Sequence, residues 1–230
     1  MKLNLAVSAA LTILPLTGWS YAFESSGQWA TWTSGAYTIE NDVWGSGAGP
    51  QTIWANSGSN FGVFSTQSGG GIKSYPNSDY QNINKAVNSL NTCSSSFNAS
   101  TPSGCNYDQA YDIWLNGSAY EVMIWNKWNG NQPIANSYDA NGNAVPQYKN
   151  QSIGGATWNV YYRGGTLSFL RTSQTSSGSV NIKALLQWVN NTPKWYNNPT
   201  LSKIQCGWEI LSTGGSQKNF TMNSYSVSVN

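Results

Sequence analysis

Apolar and polar residues alternate in short bursts along most of this chain, and turn residues separate the bursts. Gln28 to Thr33 and Ala36 to Val43 come first, and then the breaker Gly45 to Pro50. Thr52 to Ala55, Asn60 to Ser65, Gly71 to Tyr75, Asn84 to Leu90 and Ala110 to Leu115 follow. The later bursts are Ala119 to Trp125, Ala156 to Tyr162, Thr166 to Thr172, Ile204 to Leu211 and Asn219 to Val229. Many short strands joined by Gly-rich turns predict an all-β fold, a sandwich or jelly roll of two antiparallel sheets. One segment departs from that rhythm. Ile182, Leu185, Leu186 and Val189 fall on one helical face, which predicts a short amphipathic helix over Ser179 to Asn190, with Pro193 beyond its end. Asn126 to Asn150, rich in Asn, Gly and Pro, is expected to form one or two long loops.

The first 22 residues read as an export signal: Lys2, the mostly apolar Leu3 to Leu16, and Ser20-Tyr21-Ala22 as the small-x-small cleavage site. The expectation is a domain over residues 23–230, secreted, monomeric and free of membrane once the signal is removed. Five Asn-x-Ser/Thr sequons, at Asn98, Asn116, Asn150, Asn190 and Asn219, would permit glycosylation. Charged residues are only 9% of the chain, which invites a reading of disorder, but 12 Trp and 13 Tyr oppose it. A net charge of +2 gives no footprint for nucleic acid or an anionic membrane. A neutral chain rich in aromatics and amides suits neutral polyhydroxylated ligands.

Histidine is absent, which excludes Ser-His-Asp and Cys-His catalysis and the usual His-containing zinc sites. Neither a metal nor an organic cofactor is expected. Of three cysteines, Cys93 and Cys105 bracket a Ser/Asn/Gly-rich stretch and are the expected disulfide, with Cys206 a buried free thiol; Cys105 with Cys206 is the alternative.

Hydrolysis would then fall to carboxylates, and three lie inside apolar strand patterns, where an acid is costly without a purpose. In Tyr120-Glu121-Val122-Met123-Ile124-Trp125, alternation puts Glu121, Met123 and Trp125 on one face and Tyr120, Val122 and Ile124 on the other. Asp112 shares a face with Trp114, opposite Tyr111, Ile113 and Leu115. Glu209 shares a face with Gly207, whose missing side chain is expected to leave room for substrate. Two carboxyls across an aromatic groove, one protonated and one ionised, meet the needs of glycoside hydrolysis. A lectin-like sandwich would need the aromatics and amides but not two in-strand glutamates. An inert structural or defence-eliciting secreted protein would bind other proteins without hydrolysis.

At these residues the sequence resembles glycoside hydrolase family 12, small secreted jelly-roll (concanavalin-like) endoglucanases. The likeness runs through Gln28-Trp29-Ala30-Thr31, Tyr37-Thr38, Asn41-Asp42-Val43-Trp44-Gly45 and Lys73-Ser74-Tyr75. It continues through Tyr111-Asp112, the Tyr120-to-Trp125 strand and Tyr225-Ser226-Val227-Ser228-Val229. The resemblance implies Glu121 as nucleophile, Glu209 as general acid/base and Asp112 as an auxiliary aspartate beside the nucleophile. It further implies substrate contacts from Trp44, Trp29, Met123 and Trp125, and from Pro133 in a loop over the cleft. A retaining mechanism on a β-1,4-glucan polysaccharide follows, with cellulose-type glucan expected first and xyloglucan as the alternative. The acid/base segment departs from the usual Gly-Thr-Glu-Pro-Phe, reading Gly207-Trp208-Glu209-Ile210-Leu211, and Asn126-Lys127-Trp128 replaces the usual segment after the nucleophile strand.

Overall fold

Period-two burial is the dominant pattern in the computed structural model, which describes residues 20–230. Most of the expected export signal lies outside the described residues. In chain order the strands are β1 (Phe23–Ser25), β2 (Thr31–Ser34), β3 (Tyr37–Glu40), β4 (Gln51–Ser57), β5 (Asn60–Ser65), β6 (Asn77–Tyr80) and β7 (Lys85–Ala86). The 3-10 turn Val87–Ser89 leads to β8 (Cys93–Ser100), β9 (Asn106–Leu115), β10 (Tyr120–Asn129), β11 (Tyr148–Ile153), β12 (Ala156–Arg163) and β13 (Thr166–Arg171). β14 (Ser177–Val180), helix α1 (Ile182–Asn191), β15 (Thr200–Ser212) and β16 (Lys218–Val229) complete the chain.

The strands form two sheets packed face to face, the jelly-roll sandwich that the alternation predicts. One has the order β1-β4-β5-β16-β8-β14; the other runs β11-β12-β13-β10-β9-β15-β6-β3-β2, with β7 paired to β15. Pairing is antiparallel except between β10 and β13. Between the sheets lies the main core, to which β9 gives Tyr111, Ile113 and Leu115, β10 gives Val122 and Ile124, and β15 gives Cys206, Trp208 and Ile210. The opposite face of the larger sheet is therefore left to Asp112, Glu121 and Glu209, as the alternation predicts.

The helix begins later than its apolar period suggests. Ser179 and Val180 pair with Ser96 and Ser95 of β8, so Asn181 becomes the N-cap, its side chain accepting from Ala184 N at 3.1 Å. Ile182, Leu185, Leu186 and Val189 are buried, and α1 packs against β8 and β11.

Three expectations are corrected. Cys93 and Cys105 are not bonded, and all three cysteines are free and buried. Most of the stretch between them is not a loop but the eight-residue strand β8, Cys93–Ser100, with a short turn over residues 101–104 before Cys105. At about 3.3 Å per residue, β8 carries the chain roughly 20 Å from Cys93 before the turn to Cys105, against a ~7 Å limit between the Cα atoms of a disulfide. Cys206 sits in the core near Gln109 Nε2, 3.6 Å away, and is the buried free thiol expected. Gly71 to Tyr75 forms no strand, only a bridge from Ser74 to Val43 and Ile210. The long loop is shorter than expected, because β10 continues to Asn129 past a register shift between Trp125 and Lys127, and β11 starts at Tyr148.

Candidate active site

β9 runs between β10 and β15 and sets the register of Asp108, Asp112, Glu121 and Glu209. Glu121 stands opposite Trp114 and Met123 opposite Asp112 on the β10 side. Gln205 stands opposite Asp112, Gly207 opposite Ala110, and Glu209 opposite Asp108 on the β15 side. Glu121 and Glu209 thus flank β9 at different heights, with Asp112, Met123 and the small side chain of Ala110 between them. A chain laid across the strands would pass over that floor with one glutamate on each side.

The two glutamates have different surroundings. Glu121 accepts from Thr166 Oγ1 at 3.1 Å, and burial raises its pKa against that favourable bond. Glu209 keeps part of its surface open to the groove, yet its carboxyl is enclosed by protein. Burial first, and then the Asp108 carboxyl beside it, push Glu209 well above the usual range. Asp112 is 5% exposed, with Oδ1 lacking a donor among the described residues. Burial and the charges of Glu121 and Glu209 raise it as well.

Asp108 lies just ahead of the apolar burst that opens at Ala110, so the alternation of that burst does not single it out. Extending the alternation back one step puts Asp108, Ala110, Asp112 and Trp114 on one face. Asp108 is fully buried, Asn131 Nδ2 donates to its Oδ2 at 2.6 Å, and burial lifts its pKa to about 7.

Toward β3 and β6 the groove face carries a second polar cluster. Gln205 Nε2 donates to Glu40 Oε2 at 3.1 Å, and Trp114 Nε1 donates to Gln205 Oε1 at 2.7 Å. Lys203 Nζ lies 3.3 Å from the buried Asp79 Oδ2. Asp42 has φ 42°, a left-handed conformation that Asp tolerates, and burial lifts it to about 6. Trp29, Ala30, Thr31, Glu40 and Asp42 line a shallow cavity of about 160 Å³. Four larger concavities, of about 240 to 540 Å³, hold none of the groove carboxylates. A polymer groove is an open surface, so the carboxylates rather than cavity size locate the site.

The expected contact residues divide by exposure. Trp29 is 61% and Trp44 49% exposed, so both offer a free ring face. Met123 and Trp125 are on the groove face but 5% and 1% exposed. They pack with Ala110, Ala135, Tyr161 and Leu170 in a second apolar cluster, and Trp128 lies 6.2 Å from Trp125. Pro133 is buried in the loop after β10, next to the exposed Ile134. Gly207 does not make space for substrate. A Cβ there would collide with the backbone carbonyl of Pro76 and with Asn77, so the missing side chain accommodates the approach to β6.

Comparison with known proteins bears on this geometry. The model of glycosyl hydrolase family 12 matches residues 27–230. The chain is 29% identical to the xyloglucan-specific endo-beta-1,4-glucanase A of Emericella nidulans, with 88% of this chain and 90% of that protein covered. It is also 29% identical to a probable enzyme of the same name from Aspergillus fumigatus, over 100% of both chains. Among solved structures, the xyloglucanase domain of NopAA, a type three effector from Sinorhizobium fredii in complex with cellobiose, superposes with a TM-score of 0.87 at 38% identity. That alignment covers 92% of this chain and 100% of the domain. The match reaches across the jelly roll, the groove face and both in-strand glutamates, and the chain belongs to glycosyl hydrolase family 12, as an endoglucanase/xyloglucanase-type glycoside hydrolase.

Proposed function

We propose that this chain is a retaining endo-β-1,4-glucanase whose preferred polymer is xyloglucan, with Glu121 as nucleophile and Glu209 as general acid/base. The contrast between the two glutamates carries the assignment of roles. Glu121 has a hydroxyl donor, Thr166, that favours its ionised form. Glu209 sits against a second carboxyl, which favours retention of a proton. An ionised Glu121 attacks the anomeric carbon while Glu209 gives its proton to the departing glycosidic oxygen, so the C1–O bond breaks as the enzyme ester forms. Water then attacks the anomeric carbon, Glu209 takes its proton, and Glu121 leaves as carboxylate. Asp112, diagonal to Glu121, disfavours a second negative charge and keeps one proton within the cluster. Trp29 and Trp44 stack sugars at one end of the groove, Met123 forms part of its floor with Trp125 packed against it, and Pro133 fixes the loop at the other end.

We place xyloglucan ahead of cellulose-type glucan because the sequence relatives from Emericella and Aspergillus, and the solved domain at 38% identity, carry xyloglucan or xyloglucanase in their names, whereas the solved structures named endoglucanase or cellulase are 23–26% identical. The domain over residues 23–230 would act outside the cell after an export signal; no helix among the described residues is long and apolar enough to cross a membrane. Reducing-end release from tamarind-type xyloglucan, carboxymethyl cellulose, mixed-linkage glucan and xylan tests the reading. Xyloglucan should be cut fastest, with Glu121→Gln inactive on every polymer. Preference for carboxymethyl cellulose would overturn the substrate, and an active Glu121→Gln would overturn the nucleophile.

A further inference from the structure

Asp108 stands directly opposite Glu209 in the β9–β15 ladder, so the two carboxyls project side by side on the groove face. Two ionised carboxylates held side by side out of water repel each other, and neither has a donor to offer; one proton shared between them relieves both. Donors elsewhere do not account for Asp108. Asn131 Nδ2 occupies its Oδ2, while its Oδ1 is buried without a nitrogen or hydroxyl donor among the described residues. The facing ionisable groups are the carboxyls of Asp112 on β9 and Glu121 on β10, with the Tyr75 hydroxyl, which donates to Ala110 O at 3.2 Å. These neighbours are acidic or neutral, so they add to the reluctance of the pair to become doubly charged.

We propose that Asp108 is a positioning residue for Glu209, holding the acid/base carboxyl through one shared proton while Asn131 and burial hold Asp108 in turn. The proposal rests on the acid/base reading of Glu209. The shared proton does two things for that role. It fixes the rotamer of a glutamate that otherwise has several, and it keeps a transferable proton on the pair at pH values where an isolated glutamate would be ionised. Asp108 touches no substrate in this arrangement; it acts through Glu209.

Replacement of Asp108 by Asn changes the sign of the interaction. An amide donates to the ionised form of Glu209, whereas a neighbouring carboxyl opposes it. The test follows the Glu209 carboxyl carbon by carbon-13 NMR titration in wild type and Asp108→Asn, with the pH profile of kcat/KM on an aryl cellotrioside. Glu209 should titrate about one pH unit or more lower in Asp108→Asn, and the limb of the profile that belongs to the pair should move by a similar amount. Asp108→Ala should lose about tenfold or more in kcat with KM little changed, and Asp108→Asn should recover most of it. An unmoved Glu209 titration in Asp108→Asn would overturn the proposal. So would an Asp108→Ala protein that melts lower but keeps its kcat and pH profile. Azide rescue of Glu209→Ala reports separately on the acid/base role: its absence would remove that reading and leave the titration result standing.

Discussion

A rise in pH from about 4.5 to 8 should destabilise this protein, the reverse of what salt-bridged surface carboxylates produce. Burial lifts Asp79 from 3.8 to about 6 and Asp108 from 3.8 to about 7. A carboxyl whose pKa is higher folded than unfolded binds more protons when folded. Its contribution is fully present below the unfolded value and is lost as pH climbs through the folded one. The window therefore opens near 3.8 and closes near 7 for these two residues. Asp112, Glu121 and Glu209 are shifted upward and act with the same sign. Asp139 at the tip of the loop after β10 is shifted down by Asn143 and opposes them, but its window lies at lower pH. Moving a pKa by one pH unit corresponds to ~1.4 kcal/mol, so Asp79 and Asp108 together lose on the order of 5 kcal/mol over the window. For a chain of this size that corresponds to a fall in Tm of roughly 10–20 °C. Calorimetric melts at the two pH values measure it directly. An equal or higher Tm at the upper pH would refute the reasoning, and a full-sized difference persisting in Asp108→Asn would remove Asp108 as a source.

Gly207→Ala should lower stability by about 1–3 kcal/mol and reduce turnover, because the new methyl forces β15 away from Pro76 and Asn77 two positions before Glu209; melts and kcat on the same preparation check both. All three thiols should react with a thiol reagent only after unfolding, and a reductant should leave Tm unchanged, since no disulfide exists to break. Burial lifts Cys93 to about 12, which suppresses its thiolate in the folded state. Trp29→Ala should raise KM for polymer several-fold with kcat little affected, because its exposed ring lines the cavity with Glu40 and Asp42, which holds neither Glu121 nor Glu209; a loss confined to kcat would place it at the reacting sugar.

The sequence conveys the groove strands well because their two faces differ sharply in chemistry. In β10 and β15, large apolar residues mark the core side, and a carboxylate on the other side stands out against them. β8 lacks that contrast. Its inward positions are Cys93, Ser95, Phe97 and Ala99, so small and polar residues hide a regular alternation. Ser95 is tolerated inside because it meets the Tyr111 hydroxyl at 2.9 Å and donates to Ser226 O at 2.7 Å. The mistaken disulfide follows from the same blindness: a strand written in Ser and Asn looks like a loop, and cysteines at either side of a loop invite a bridge. Gly207 misleads for a related reason. A missing side chain makes room on whichever side the neighbouring backbone does not fill, and only the β15–β6 register shows that β6 fills it.

The site depends on β9 more than on the strand that carries the nucleophile. β10 supplies Glu121 and β15 supplies Glu209, but these strands do not pair with each other, and their alignment is inherited from β9. Moving β9 by one residue would turn Asp108 and Asp112 into the core and bring Tyr107 and Tyr111 into the groove. The core side guards against that slip: Tyr111, Ile113 and Leu115 are all fully buried. Apolar packing on one face thus fixes the placement of acids on the other. The charged face could not hold itself together, since its acids outnumber its bases, and Lys203 is the only cation in a salt bridge among the described residues. Like charges gathered at one surface require that the restoring energy come from elsewhere, and here it comes from the hydrophobic side of the same strand.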